Sequence, residues 1–387
     1  MKNATEKGNV TQLTRPAGQR DSNIELFRII SMLLIVAHHY VTNSGLTEPT
    51  SPIAADPVSG RSLFLLLLGA WGKIGINCFV MITGYFMCKS NITAKKFAKL
   101  VFEIMFYRIV LYFLLLLGGY EQVSAMGLIK LVLPVSHVDQ NFTGCFILFF
   151  LFIPFLNMLI REMDERRHIK LLLLCFFTYV LFGTVRGGPF GVVMNYVSWF
   201  MVIYFIAAYI RLYPKAWFSD TKKCGILLIL AILVSAASVV CCAYVGSRHG
   251  VFSPYYFVTD SNTFLAVLVG TLAFMFFRSV KVKYSRFINT VAASTFGVLL
   301  IHANSDAMRK WLWRDTVDSV GSYGKSFMPL YAVGCVILIF AVCTVIDILR
   351  IKLLEKPLFK WWDKHWEGFS KKYAEKEDAL FRKLHIN

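Results

Sequence analysis

Ten apolar runs, each compatible with a membrane-spanning helix, constrain the fold of this chain more than any other feature. The runs fall at about 24–43, 62–88, 97–117, 143–160, 168–185, 192–213, 224–245, 262–278, 288–304 and 328–350. Of the 387 residues, 57% are hydrophobic and only 17% are charged, whereas a soluble domain has roughly 25% charged residues. The sequence therefore predicts an all-α, polytopic integral membrane protein with about ten transmembrane helices.

Lysine and arginine residues concentrate in every second connection between these runs. Of the 41, 31 lie in one set of segments, eight lie in the other set, and Lys73 and Arg108 lie within runs. The richer set comprises residues 1–28, 89–99, 161–170, 211–223, 278–286 and 350–387. Because these residues accumulate on the cytoplasmic side, the alternation predicts a multi-pass protein of the cell membrane with both termini cytoplasmic. The net charge of +18 thus marks one side of the membrane, and we expect no nucleic-acid partner.

The chain divides into three parts. Residues 1–22 are polar, lack the apolar stretch of a cleaved signal peptide, and are predicted to form a disordered cytoplasmic tail. Residues 23–350 hold the transmembrane domain. Residues 351–387 combine lysines with aromatic residues, which predicts a basic, amphipathic cytoplasmic tail on the anionic lipid surface.

The first apolar run carries Arg28 near its beginning and two adjacent histidines, His38 and His39, near its end. Ionisable side chains inside a span are costly, so they are functional candidates by default. Arg28 and His39 are eleven residues apart, which places them on one stripe of a helix, roughly 16 Å from each other. His38 lies about 100° away from that stripe. We therefore expect His39, rather than His38, to work with the Arg28 face.

This stretch resembles the first-helix signature of membrane acyltransferase family 3. The signature is Arg28, ten intervening residues and His39, preceded by Glu25, Leu26 and Phe27. Further segments that resemble the family lie at residues 75–86, 96–99, 154–157, 198–213, 294–305 and 346–350. Together they extend the resemblance from about residue 20 to 352. The family comprises integral-membrane enzymes that move acyl groups, often acetyl from acetyl-CoA, onto sugars of surface polysaccharides and glycolipids.

Several positions depart from the pattern of the family. Asn77 takes the place of an acidic residue, Thr83 that of a serine, and Leu299 that of a tyrosine. Lys96 and Lys99 stand where many members carry an Arg-x-x-Arg pair thought to hold the acyl donor. Lysine contacts phosphate as a point charge without the bidentate fork of arginine. These two lysines can equally be the positive flank of a cytoplasmic loop.

The resemblance implies an O-acyltransferase that moves an acyl group, acetyl by default, from acyl-CoA to a hydroxyl of a surface glycan or lipid-linked saccharide. Such a transfer needs a base for the hydroxyl proton, and a neutral imidazole with an ordinary pKa near ~6.5 can act as one. We expect His39 to be the base and His302, at the outer end of the ninth run, to orient it or to hold the acceptor. Acyl-CoA would arrive from the cytoplasm as a co-substrate, and we expect no bound cofactor.

The other candidate residues fall into two groups. The expected donor-binding residues are Arg28, Lys96 and Lys99, and the expected supporting polar residues are Glu25, Lys73, Asn77 and Trp199. Lys73 lies among glycines spaced three residues apart, which allow close helix packing or a break in the helix. Trp199 is more often a packing or interfacial aromatic than a sugar-stacking one. The nine cysteines lie mostly in apolar runs without metal-ligand spacing, so no metal site is expected.

Two other functions stay open. A transporter or flippase of a lipid-linked glycan, without acyl chemistry, also suits ten spans, an intramembrane Lys73 and a glycine-broken helix. Such proteins often have internal pseudo-symmetry, and none is detected between the two halves of this chain. A sensor or scaffold would need a sizeable soluble module, which the sequence lacks. Binding or hydrolysis of acetyl-CoA separates the enzyme from the transporter.

Overall fold

The computed structural model describes residues 20–133, 135, 141–185 and 194–366, and this part of the chain is helical without a β-strand. The first nine helices are α1 (Ser22–Thr42), α2 (Pro52–Ala55), α3 (Gly60–Gly69), α4 (Gly72–Met87), α5 (Ala94–Leu117), α6 (Ala125–Val132), α7 (Phe142–Glu162), α8 (Glu165–Cys175) and α9 (Phe182–Thr184). The others are α10 (Tyr196–Leu212), α11 (Thr221–His249), α12 (Phe264–Ser279), α13 (Arg286–Ala293), α14 (Thr295–His302), α15 (Asp306–Arg309), α16 (Ser319–Ser322) and α17 (Met328–Arg350). Turns of π-helix follow α8, α15 and α17, and a short 3-10 helix precedes α11. The predicted all-α fold is confirmed.

Seven helices of the described chain are long and apolar enough to cross a membrane. They are Ser22–Thr42, Gly60–Met87, Ala94–Leu117, Phe142–Glu162, Glu165–Thr184, Thr221–His249 and Met328–Trp366. An eighth span results if Arg286–His302 and Asp306–Ser322, which are bent by 94° against each other, count as one. α10 and α12 are apolar but shorter. A helix thus lies at each of the ten predicted places, and the polytopic membrane fold is confirmed, while the count of ten spans and the side of the termini stay predictions.

The long helices run alternately between two ends of the bundle. We name the end that carries His39 and His302 the histidine end, and the end that carries Arg28 the arginine end. α1 begins at the arginine end, where the hydroxyl of Ser22 accepts a 2.9 Å hydrogen bond from the backbone N–H of Ser285. α17 runs in the opposite direction and also ends there, so both ends of the helical domain lie at the arginine end.

α1 is the central element, because it packs against α3, α4, α12, α13, α14 and α17. The face that α3 and α4 turn toward α1 carries Gly69, Gly72 and Gly75. A Cβ at Gly72 would overlap the side chain of His38, and one at Gly75 would lie 2.8 Å from the backbone oxygen of Ser31. These positions therefore require glycine. The sequence predicted close packing or a break at these glycines, and the structure has both. α3 and α4 pack closely against α1, and two residues separate α3 from α4.

An aromatic cluster fills the centre of the bundle between α4, α7, α10 and α14. Phe146 contacts Phe79, Phe200 and Phe296 at ring-centroid distances of 6.4, 6.2 and 5.7 Å. Phe149 extends the cluster to Phe200 at 5.7 Å. Offset and edge-on aromatic pairs of this kind are favourable beyond the burial of their surface. The cluster holds together the helices on either side of α1.

A buried ionic network closes the arginine end between α5 and α17. The guanidinium of Arg350 lies 2.7 Å from Asp347, 2.8 Å from Glu355 and 3.1 Å from Glu103, and Tyr107 donates to Asp347 at 2.8 Å. Asp347 and Arg350, three residues apart in the last turn of α17, thus form an ion pair. A buried cation needs such partners, because removing one of them leaves an uncompensated charge.

The last helix continues beyond Arg350 to Trp366, and its extension contacts the beginning of α5. Lys95 bonds to Asp363 at 2.6 Å, and the ring of Phe359 lies 6.2 Å from that of Phe102. Residues 1–19 and 367–387, which belong to the two predicted tails, lie outside the described residues. Location of this extension on a lipid surface stays a prediction.

The bent segment after α14 covers the histidine end. Trp313 lies in the turn of π-helix after α15, is fully buried and packs edge-on against Tyr40 at 6.1 Å and against His302 at 6.2 Å. The segment thereby fixes the ends of α1 and α14 against each other.

Candidate active site

Two histidines from different helices meet at the histidine end. Nδ1 of His39, in the last turn of α1, lies 3.0 Å from Nε2 of His302, the final residue of α14. The ring centroids are 5.1 Å apart and the ring planes differ by 50°. This is the distance of a direct hydrogen bond. The structure thus brings together the two histidines that the sequence singled out.

The hydrogen bonds around the pair assign the position of each ring proton. Nδ1 of His302 lies 2.6 Å from the backbone oxygen of Val298 and carries the proton, because a carbonyl oxygen only accepts. In the neutral ring, Nε2 of His302 is then an acceptor, and Nδ1 of His39 donates to it. Nε2 of His39 keeps its lone pair, and it has no hydrogen-bond partner within the described part of the chain. His302 is fully buried and His39 is partly exposed, so the candidate base of the pair is Nε2 of His39.

The short length of α14 places His302 at this depth. α14 has eight residues and is separated from α13 by Ser294, which ends one helix and begins the next. At Gly297 an added Cβ would overlap the carboxylate of Asp347 on α17. Glycine therefore lets α14 lie directly against α17, and the bend that follows His302 directs the chain across the end of α1.

His38 faces a different partner from His39. Its Nδ1 lies 2.6 Å from the backbone oxygen of Gly69, the last residue of α3. The break between α3 and α4 makes carbonyl groups of α3 available, and the hydroxyl of Tyr255 donates to another of them, that of Leu66, at 3.0 Å. The rings of His38 and Tyr255 are 6.5 Å apart. The broken helix thus orients His38, while α14 orients His39.

Lys73 lies one residue beyond the glycine that contacts His38. Its Nζ donates a 2.8 Å hydrogen bond to the hydroxyl of Tyr196 and lies 5.6 Å from the centroid of that ring. Tyr196 is the first residue of α10, and the side chain of Lys73 is partly buried. The ammonium group is therefore held at the histidine end by an aromatic hydroxyl.

Asn77, one turn further along α4, joins three elements. Its Oδ1 accepts from the indole N–H of Trp199 at 2.9 Å, and its Nδ2 donates to the backbone oxygen of Ser261 at 2.7 Å. Asn77, Trp199 and Ser261 are all fully buried or nearly so. An amide can serve both partners at once, which a carboxylate cannot do. These contacts give Asn77 and Trp199 a packing role that connects α4, α10 and the segment before α12.

Arg28 lies at the opposite end of α1, beside a cavity of about 430 Å³. Its Nε is 3.4 Å from Oε2 of Glu25, and its guanidinium carbon is 5.5 Å from the ring centroid of Phe79. The cavity is also lined by Arg20 and by Thr295, the first residue of α14. Along the helix, Arg28 and the histidine pair are separated by roughly 16 Å. The structure therefore does not bring Arg28 into contact with His39.

Lys96 and Lys99 lie at the arginine end, in the first turns of α5. Nζ of Lys96 donates to Ser90 at 2.8 Å and to the backbone oxygen of Asn91 at 2.9 Å. Nζ of Lys99 lies 3.2 Å from Glu355 in the extension of α17. Neither lysine contacts Arg28 among the residues described. Both already have protein partners that a donor would need to displace or join.

Sequence reasoning did not identify four residues around the histidines: Tyr196, Tyr255, Val298 and Trp313. Tyr255 and Trp313 lie in connections, and their sequence neighbourhood carries no signal that they fold back onto the site. Val298 acts through its backbone oxygen, which any residue type would supply. Tyr196 is one of 17 tyrosines, and only the fold shows its contact with Lys73.

A bundle of membrane helices in which an imidazole of one helix is hydrogen-bonded to a histidine of another defines a polytopic membrane protein with a candidate catalytic pair. The chain matches the family model of the acyltransferase domain over residues 21–348. It belongs to membrane acyltransferase family 3 and is a membrane acyltransferase. Comparison with curated proteins and with solved structures finds no match. The family favours the enzyme over the transporter and the scaffold.

Proposed function

We propose that the protein is an O-acyltransferase that moves an acetyl group from acetyl-CoA to a hydroxyl of a surface glycan or lipid-linked saccharide, with His39 as the base. The observation that carries the proposal is the 3.0 Å contact between Nδ1 of His39 and Nε2 of His302. It leaves Nε2 of His39 as a free acceptor in a partly exposed position. A base within hydrogen-bond reach of the hydroxyl is the first requirement of acyl transfer.

In this mechanism Nε2 of His39 takes the proton of the acceptor hydroxyl as the oxygen attacks the carbonyl carbon of the thioester. The resulting imidazolium keeps its Nδ1–H bonded to the neutral ring of His302, which holds the ring in place. Collapse of the tetrahedral intermediate breaks the carbon–sulfur bond. The sulfur then receives the proton from Nε2 of His39, so that an O-acetyl ester and free CoA leave and the enzyme is regenerated.

The donor would enter from the arginine end, which we place at the cytoplasm. Arg28 and the cavity of about 430 Å³ beside it offer a positive group near the donor's phosphates. Lys96 and Lys99 add positive charge to the same end of the bundle. The separation of roughly 16 Å between Arg28 and His39 suits a donor whose charged part and acyl group are joined by a long, neutral arm.

The acceptor would approach from the histidine end, where the connections between helices are longer and His39 is accessible. The experiment is compositional analysis of the surface glycan from cells that carry the wild-type protein, His39→Ala or His249→Ala. His249 is an exposed histidine in the last turn of α11 and serves as a matched control. We expect the His39→Ala glycan to lack O-acetyl groups and the His249→Ala glycan to keep them, with equal protein levels. An unchanged acetyl content in the His39→Ala cells would refute the proposal.

A further inference from the structure

Two cations lie on the elements that flank the histidine pair. They are Arg309 on α15, which follows His302, and Lys73 on α4, which follows the glycine packed against His38. Arg309 is paired with Asp306 at 2.8 Å, and that carboxylate is 97% exposed. Lys73 has the hydroxyl and the ring of Tyr196 as its partners. Of these two cations, only Arg309 has a carboxylate within ion-pair distance among the described residues.

Lys73 differs in this respect from three other cations of the helical domain, whereas Arg211 on α10, at the arginine end, likewise has a tyrosine hydroxyl and ring as its partners. Arg28, Lys99 and Arg350 each lie within 3.4 Å of at least one carboxylate. For Lys73 no carboxylate lies within ion-pair distance among the described residues. A cation inside a membrane span is costly and is kept where a partner or a function requires it. The missing partner of Lys73 is then expected to arrive with a substrate.

The donor is not the source of this charge if the proposed function is correct. The phosphates of acetyl-CoA would stay at the arginine end, and the arm that carries the acetyl group is neutral. Lys73 lies at the histidine end, because it directly follows Gly72, the glycine that packs against His38. A fixed negative charge at this position therefore belongs to the acceptor.

We infer that the acceptor is an anionic saccharide whose phosphate or carboxylate pairs with Lys73 while the reacting hydroxyl lies at Nε2 of His39. This inference rests on the proposed function and names its substrate class. Lys73 is then a residue that determines specificity. Tyr196 holds the ammonium group in place through its hydroxyl and its ring. A charge-assisted contact of this kind corresponds to a change in kcat/KM of about tenfold to a hundredfold.

The test uses the purified, full-length protein, labelled acetyl-CoA and de-O-acetylated surface glycan from cells that lack the protein. The glycan is used intact, after removal of its phosphates with hydrofluoric acid, and after reduction of its carboxylates with a carbodiimide and borohydride. We expect one of the two treatments to lower the wild-type kcat/KM by about tenfold or more, which also identifies the charged group. A wild-type rate that neither treatment changes would overturn the inference.

Variants separate a specificity role from a structural one. With intact glycan, Lys73→Met is expected to lose about tenfold or more in kcat/KM, Lys73→Arg to keep most of it, and the control Lys130→Met on α6 to match the wild type. With the neutralised glycan, Lys73→Met and wild type should be equal. An equal loss by Lys73→Met on both glycans would overturn the inference, because it would show a role in the chemistry or in the fold. Tyr196→Phe, which keeps the ring, should show a smaller loss confined to the charged glycan. No transfer by the wild type to any glycan would instead refute the proposed function.

Discussion

Nδ1 of His39 and Nε2 of His302 are 3.0 Å apart, although 263 positions separate the two residues in the chain. The contact exists because α1 is packed tightly on its glycine-lined neighbour and α14 is short enough to end at the same depth. The proton on Nδ1 of His302 is fixed by the backbone oxygen of Val298 at 2.6 Å. The backbone oxygen of Val298 therefore orients the ring of His302, and His302 in turn orients the ring of His39. Nε2 of His39 is the nitrogen left without a partner among the described residues.

His302 positions His39 by accepting its hydrogen bond. The activity of a His302 variant should therefore depend on whether the new side chain accepts a hydrogen bond. His302→Gln places an amide oxygen near the former Nε2 and should retain activity within about tenfold of wild type. His302→Leu, similar in volume but without an acceptor, should lose about a hundredfold or more in kcat. Acetyl transfer by the purified variants, with size-exclusion profiles as a control of folding, measures the difference. Equal activities of the two variants would show that His302 does not act through its acceptor.

Arg28 is expected to contribute to donor binding and not to the chemical step. Arg28→Gln should raise the KM for acetyl-CoA by about tenfold and leave kcat within about twofold, since the residue lies roughly 16 Å from the reacting atoms. Arg286→Gln removes an exposed charge from the same end of the bundle and serves as the matched control. Steady-state kinetics with varied acetyl-CoA gives both constants. A fall in kcat with unchanged KM would place Arg28 in the reaction itself.

Gly72 allows the approach of α4 to α1 that orients His38. Gly72→Ala should destabilise the protein by about 1–3 kcal/mol, because the added methyl group overlaps His38 and the helices need to move apart. Gly334 on α17 has no atom within 4 Å of an added Cβ, so Gly334→Ala should leave the stability unchanged or slightly higher. Thermal unfolding in detergent compares the two variants. Equal melting temperatures for Gly72→Ala and the wild type would contradict the close packing.

Asn77 satisfies one donor and one acceptor inside the bundle. Asn77→Asp removes the donor to Ser261 and turns a carboxyl group toward that backbone oxygen, which should cost about 1–3 kcal/mol of stability. Asn91→Asp makes the same change at an exposed position, and it should leave the stability within about 0.5 kcal/mol of wild type. Thermal unfolding in detergent should therefore give a lower melting temperature for Asn77→Asp than for Asn91→Asp. Equal melting temperatures of the two variants would mean that the contact to Ser261 contributes little.

The positions of the helices could be predicted from the sequence, because a helix that crosses a membrane needs a long apolar run. The common helix of Arg28 and His39 followed from their spacing, and the close approach of α1 to the second span followed from the glycine spacing. Contacts between residues far apart in the chain could not be predicted from such patterns. Lys73 and Tyr196 are 123 positions apart, and Lys99 and Glu355 are 256 positions apart. Such pairs depend on how helices rotate and tilt against one another, which many side chains determine together.

The positions of the apolar runs and the alternation of positive loops placed His39 and His302 at one end of the bundle, and the family resemblance singled them out as a pair. It did not reveal that His302 is held by its own helix backbone or that His38 is held by α3. Both details depend on helix ends, where unpaired carbonyl groups become available. A pattern of side chains in the sequence does not contain that information.

The central claim is that Nε2 of His39 removes the proton of the acceptor. Acetyl transfer from labelled acetyl-CoA to the de-O-acetylated surface glycan by purified wild type and His39→Ala, with acetyl-CoA binding measured in parallel, tests it most directly. We predict a loss of transfer of about a hundredfold to ten-thousandfold in His39→Ala, with the dissociation constant of acetyl-CoA within about twofold of wild type. Transfer by His39→Ala at a rate close to that of the wild type would contradict it.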